Sequence, residues 1–110
     1  MTDTLDSAAN ALSALGHPVR LHVFRLLVKA GHDGLPVGEI GAHLGVPAST
    51  LAHHLTALVQ AGLIEQERQG RTIVNRAHFG AMDALIGFLS DECCAGVPGL
   101  ADARANDNVA

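Results

Sequence analysis

Aromatic residues are nearly missing from this 110-residue chain, which has no tryptophan, no tyrosine and only three phenylalanines. Any core it forms must be aliphatic, and the 48% hydrophobic content supplies the material. No apolar run reaches the roughly 18 residues that a membrane-spanning helix needs. Basic residues are scarce, with seven Lys and Arg against eleven Asp and Glu and a formal charge of −4. Taken whole, that balance argues weakly against a nucleic-acid partner. Cysteine occurs only twice, at Cys93 and Cys94 in "DECCAG", which leaves no framework of structural disulfides.

The distribution of charge changes its meaning. Residues 1–79 carry six basic and six acidic side chains and all seven histidines, whereas residues 80–110 carry one basic and five acidic ones. The net negative charge therefore lies entirely in the C-terminal segment, and a neutral body can still present a local basic patch. The opening "MTDTLDSAAN" is acidic and polar and does not read as a signal peptide. The expected compartment is the reducing cytoplasm, where neighbouring cysteines are more often reactive or ligating than structural.

Apolar spacing sets out the elements. Thr4 to Leu15 reads as a helix with Leu5, Ala8, Ala9, Leu12 and Leu15 on one face, ended by Gly16. "HPVRLHVFRLLVKAG" is the next, with Pro18 in its first turn, Gly31 at its stop and Val19, Val23, Leu26 and Leu27 facing inward. "HDGLP" reads as a turn. Val37 to Leu44 is a short helix broken by "GVPAS", and "STLAHHLTALVQAG" is another, with Leu51, Leu55, Leu58 and Val59 in register. Two short helices on a tight glycine-containing turn make a helix-turn-helix. Leu63–Glu67 and Thr72–Ala77 read as strands joined by "RQGR", and "GAMDALIGFLSDECC" as a last helix with Met82, Leu85, Ile86 and Leu89 on one face. The expected fold class is mainly α with a β-hairpin wing, a winged helix-turn-helix, with a dimer as the expected assembly. Residues 1–96 are expected to form the DNA-binding and dimerisation domain and 97–110 a flexible C-terminal tail.

On the second helix of the pair, an advance of about 100° per residue sets Ser49, His53, Thr56 and Gln60 opposite Leu51, with His54 on the flank. These side chains can meet base edges or phosphates, or simply be solvated. No Lys or Arg lies on that face, so the electrostatic grip falls to Arg68 and Arg71 at the wing tip, with Arg76 and Arg20 in support. His54 reads as a structural flank residue more than a base contact. The remaining histidines are scattered and read as surface or core-edge residues.

The segments "LSALGHPVRLHVFRLL", "VGEIGAHLGVPASTLAHHLTALVQAGLI" and "RQGRTIVNR" resemble the ArsR/SmtB winged-helix repressors of bacteria, over roughly Leu12 to Phe88. The resemblance implies a homodimer built on the first and last helices, a reading helix from Ser49 to Gly62 in the major groove of double-stranded operator DNA, and release of the operator by an inducer. By position it assigns Ser49, Thr50, His53 and His54 to the reading helix and Arg68 to Arg71 to the wing. Ala48 and Ala52 depart from the pattern, since polar residues are common there. Of the inducer sites the family uses, one needs cysteines at the helix that here begins "PVGEIG", and none is present. Another needs carboxylates and histidines on the last helix, which here offers Asp83, Asp91 and Glu92 without histidine. The remaining type is a cysteine cluster at the end of the last helix, and Cys93 and Cys94 match it without a third cysteine.

Consecutive Cα atoms lie about 3.8 Å apart, short of the roughly 4.4–6.8 Å a relaxed disulfide spans, so a structural bond between Cys93 and Cys94 is disfavoured. Soft thiolates suit arsenic(III) or antimony(III), whose three ligand positions two adjacent sulfurs can largely fill. Zinc needs four donors. Asp91 and Glu92 are expected to raise the thiol pKa values. The leading expectation is a repressor induced by arsenic(III) or antimony(III), with no organic cofactor and no membrane partner. A thiol-redox or persulfide-responsive repressor and a winged-helix interaction module that does not bind DNA remain open. An enzyme is disfavoured, because no nucleophile–base pair, phosphate loop or complete catalytic metal set can be placed.

Overall fold

A computed structural model describes residues 2–99, and side chains from Thr4 onward. Helices α1 (Thr2–Leu15) and α2 (Pro18–Ala30) lead into a single 3-10 turn at Gly31–Asp33. Strand β1 (Leu35–Pro36) follows, then α3 (Val37–Leu44), α4 (Ala48–Gln60), the hairpin β2 (Ile64–Gln69) and β3 (Thr72–Ala77), and α5 (Phe79–Ser90). The three strands form one antiparallel sheet in the order β1-β3-β2. This is the expected winged helix-turn-helix with one strand more than the sequence pattern shows.

That strand lies in the stretch read as a turn. Two residues cannot display an alternation, and only their partners define them: Leu35 pairs with Asn75 and Pro36 with Val74. Asn75 is almost fully buried, and its side chain ties the sheet together. Its Nδ2 donates to the Leu35 carbonyl at 3.2 Å and its Oδ1 accepts from Gln66 Nε2 at 2.8 Å. One buried amide thus links all three strands, and it stands among wing residues that look merely polar in sequence.

The core is aliphatic, as the composition requires. Val23, Leu27, Ile40, Leu51 and Leu58 are buried from three helices, with Leu63 just ahead of the hairpin and Phe24 beside them. Tight helix ends come from local chemistry. Gly45 closes α3 in the left-handed conformation (φ 69°) and returns its N–H to the Gly41 carbonyl, as an αL cap does. Histidines start two helices: His17 Nδ1 accepts from Val19 N–H ahead of α2, and His78 Nδ1 from Ala81 N–H ahead of α5.

Two faces differ from the spacing-based reading. In α1 the inward residues are Ala8, Ala11 and Ala14, while Leu5 and Leu12 are exposed. The small residues let α1 approach closely, and the leucines are turned outward. In α5 no residue is fully buried, and Ile86 and Leu89 lie open. Val59 of α4, expected inside, is 36% exposed. No helix among the described residues is long and apolar enough to cross a membrane.

Candidate DNA interface and thiol site

Leu51, Leu55 and Leu58 press α4 onto the core, which turns the opposite side of the helix to solvent. Ser49, Thr50, His53, Thr56 and Gln60 are all exposed there. Thr56 Oγ1 donates back to the Ala52 carbonyl at 3.0 Å, leaving its oxygen lone pairs as acceptors. His54 behaves differently. Only 8% of it is exposed, and its ring lies 4.5 Å from that of His17, across the α2–α4 contact. It faces the interior from the flank of the helix and is not available to a base edge, so of the residues the resemblance places in the reading helix it is the one the fold withdraws from a ligand. One step of 100° separates it from His53, and that step carries it from the outer face to the flank that α2 covers. Burial, aided by the nearby His17, Arg20 and His53, lowers the His54 pKa below its ordinary value, so the ring is neutral near pH 7.

The wing tip carries Arg68 and Arg71, both exposed and free of ion pairs among the described residues. Gly70 at the tip takes φ 66°. Arg76 has another task. It pairs with Glu67 across the hairpin at 2.9 Å and its Nε donates to the His32 carbonyl at 3.0 Å, so it binds the wing to the 3-10 turn instead of lending charge to a ligand surface. The same pair holds the Glu67 carboxyl below its usual range. Between α4 and the wing runs a cleft of about 370 Å³ lined by Ala52, Leu55, Thr56, Arg71 and Ile73, among others. α4 and the wing thus border one cleft, with Thr56 on the helix side and Arg71 on the wing side.

The cysteines do not sit on a helix. α5 stops at Ser90, and Glu92 (φ 60°) and Cys94 (φ 65°) both adopt the left-handed region. Those conformations are uncommon for residues with a Cβ and rule out a continuous helix through "DECC". Cys93 N–H donates to the Ser90 carbonyl and Ala95 N–H to that of Glu92, each at 3.0 Å. Both thiols are exposed and free, with Sγ atoms 3.1 Å apart. The hydrogen bond with Cys94 pushes the Cys93 thiol up. The upward direction matches the sequence expectation, but its leading cause is the neighbouring sulfur and not Asp91 or Glu92. No group of three His, Cys, Asp or Glu side chains able to hold a metal forms among the described residues. A four-donor zinc site therefore does not fit one chain. Two sulfurs at 3.1 Å suit a narrow bite: bonds of about 2.3 Å span about 3.3 Å at a right angle but about 3.8 Å at the tetrahedral angle.

A family model described as a helix-turn-helix domain matches residues 15–67, from the end of α1 into β2. The HTH-type transcriptional regulator YgaV of Escherichia coli is 32% identical over 81% of this chain and 88% of its own. The chain belongs to the ArsR family of winged helix-turn-helix transcriptional regulators. Another relative, the biofilm growth-associated repressor of Xylella fastidiosa, is 30% identical over 86% of this chain and 81% of its own. Among solved structures, a homodimeric winged helix-turn-helix DNA-binding domain from Mycobacterium bovis superposes with a TM-score of 0.64 at 30% identity, covering 80% of this chain and 82% of that one. As a member of this family the chain is a DNA-binding transcriptional regulator of the repressor type, not an enzyme.

Proposed function

We propose that this chain is a homodimeric repressor that leaves its operator when trivalent arsenic or antimony binds Cys93 and Cys94. The observation that carries the inducer reading is the pair of exposed Sγ atoms 3.1 Å apart on one turn, the only cysteines in the sequence. Each thiol gives up its proton as it displaces a hydroxide from arsenic, so two As–S bonds form, two As–O bonds break and two waters leave. Arsenite keeps hydroxide in its third position. A monosubstituted arsenic(III) compound keeps its carbon there and needs no further protein ligand, so it is expected to bind at least as well.

Dimerisation is supported by the outward leucines. Leu5 and Leu12 on α1 and Ile86 and Leu89 on α5 are exposed, and these two helices pack against each other. Large apolar side chains left exposed on two packed helices support an interface there. The thiols begin three residues beyond the end of α5, so a ligand that reshapes their turn acts on an element of that interface. Two reading helices must stand about 34 Å apart to enter successive major grooves. A change in that spacing worth about 1–3 kcal/mol weakens operator binding roughly 5–150-fold.

The test is a gel shift on the upstream region of the protein's own operon, with and without arsenite. Cys93→Ser and Cys94→Ser should each keep DNA binding and lose release. Release of the double variant by arsenic(III) would move the site elsewhere. Release by oxidant or persulfide, reversed by a reductant, would favour the thiol-redox alternative. Failure to bind any duplex would leave a winged-helix interaction module.

A further inference from the structure

The N-terminal corner of α2 holds a cluster that the reading helix and the wing do not account for. His17 caps the helix with Nδ1, which accepts the Val19 N–H at 3.2 Å. That bond leaves Nδ1 as the acceptor, so in the neutral ring the proton sits on Nε2 and points away from the helix as a donor. Arg20 stands one turn in. The first turn of α2 carries no acidic residue, and Arg20 has no ion-pair partner among the described residues. Beneath them lies His54, more than nine-tenths buried, its ring 4.5 Å from His17. The corner also contains two buried nitrogens without hydrogen-bond partners, His54 Nδ1 and Arg20 Nε. A helix N-terminus with positive dipole, one arginine, one locked imidazole donor and unsatisfied nitrogens lacks only an anion.

Its place beside α4 says which anion. Around α4, Ala52 and Thr56 face the cleft shared with wing residue Arg71. His54 leaves the helix on the opposite flank, toward His17, and His53 bridges outward, its ring 5.5 Å from His54. The reading helix is therefore flanked by a cationic wing on one side and by this corner on the other. A helix in a major groove about 12 Å wide has a sugar–phosphate strand on each side. We propose that His17 and Arg20 clamp a backbone phosphate of the strand opposite the one held by the wing. This rests on α4 being the DNA-reading helix. It supplies the second electrostatic anchor that α4, without Lys or Arg, does not provide.

A phosphate contact is blind to sequence, so the probe is a random-sequence duplex titrated over a range of salt concentrations. Arg20→Gln should weaken binding and lower the slope of log affinity against log salt by about one. Combined with Arg71→Ala, the fall should be about two, because the two arginines hold different phosphates. His17→Asn keeps a capping oxygen but loses the Nε2 donor. It should cost roughly fivefold in affinity through the lost donor. Circular dichroism melts establish that each variant is folded. An unchanged slope in folded Arg20→Gln, or a double variant no different from Arg71→Ala alone, overturns the clamp. Inorganic phosphate at constant ionic strength should not displace the duplex; displacement that Arg20→Gln abolishes would make the corner a free-anion site instead. If the wild-type protein binds no duplex at any salt, the DNA reading of α4 fails and takes the clamp with it, whereas binding by α4 and the wing alone removes only the clamp.

Discussion

His54 shows how one position can be polar in sequence and apolar in role. Folded, it is held neutral chiefly by burial; unfolded, it takes a proton near the ordinary value of 6.5. The unfolded chain therefore binds more protons once the pH drops below that value, and stability falls. Above it the contribution is fully present. Urea midpoints should thus decline on acidification below about pH 6.5, with a slope from this residue of at most about 1.4 kcal/mol per pH unit. His54→Leu should remove most of that decline, and an undiminished acid sensitivity in this variant would assign it to other groups. Asn75 carries a comparable load without titrating. Asn75→Ala strands the Leu35 carbonyl and the Gln66 amide, and should cost about 2–3 kcal/mol in chemical denaturation. Gly34 explains why so short a strand forms at all. Its φ is +65°, and a Cβ there would overlap the Asn75 carbonyl oxygen and stand 2.8 Å from Val74 Cγ1. Gly34→Ala should lose about 2–4 kcal/mol, from left-handed backbone strain and overlap together. Gly45→Ala, with similar φ but open space around it, should lose only about 1 kcal/mol.

At the scale of elements, the proposed interface divides DNA binding between α4 and the wing. Arg71→Ala should weaken binding to all duplexes alike and reduce the salt slope by about one. Equal slope and equal affinity in salt titrations of the variant would take the wing out of the interface. His53→Ala should act unevenly across operator variants, because His53 projects from the centre of the exposed face; uniform loss for every sequence would make it a backbone contact. The helix limits were legible in sequence because caps and stops are local. Pro18, Gly31 and Gly45 mark them with their own dihedral preferences. The end of α5 was not legible. "SDECC" continues a helical pattern, and only the left-handed backbone of Glu92 and Cys94 breaks it. β1 escaped for the opposite reason: its two residues acquire meaning from Asn75 and Val74, some forty positions later.

For the whole molecule, the outward leucines of α1 and α5 lead to the assembly prediction. The protein should sediment as a dimer at micromolar concentration, and a monomer at high concentration would contradict the proposed interface. Leu12→Glu with Leu89→Glu should shift it toward monomer and lower operator affinity while leaving the helix-turn-helix folded. The charge segregation read from the sequence belongs to this scale too. The body that carries the reading helix and wing is balanced, and the acidic excess lies in residues 80–110, after the DNA-facing elements. Of that segment, residues 100–110, most of the expected C-terminal tail, lie outside the described structure.

Periodicity, caps and glycine stops by themselves determined the element order, the helix-turn-helix and the exposed polar face of α4, because each arises from interactions within a few residues along the chain. The same holds for the adjacency of Cys93 and Cys94, which covalent connection guarantees. Only tertiary packing decided which side of each helix is inside. An apolar stripe has the same spacing whether it meets its own core or a second copy, and packing alone put Ala8, Ala11 and Ala14 of α1 inside and left Leu5 and Leu12 exposed. Packing likewise turned His54 inward against His17, drew Arg76 away to the His32 carbonyl, and set His17 and Arg20 beside the buried His54 of α4. These relations join residues distant in sequence, and no local pattern encodes a contact whose other half lies on another element.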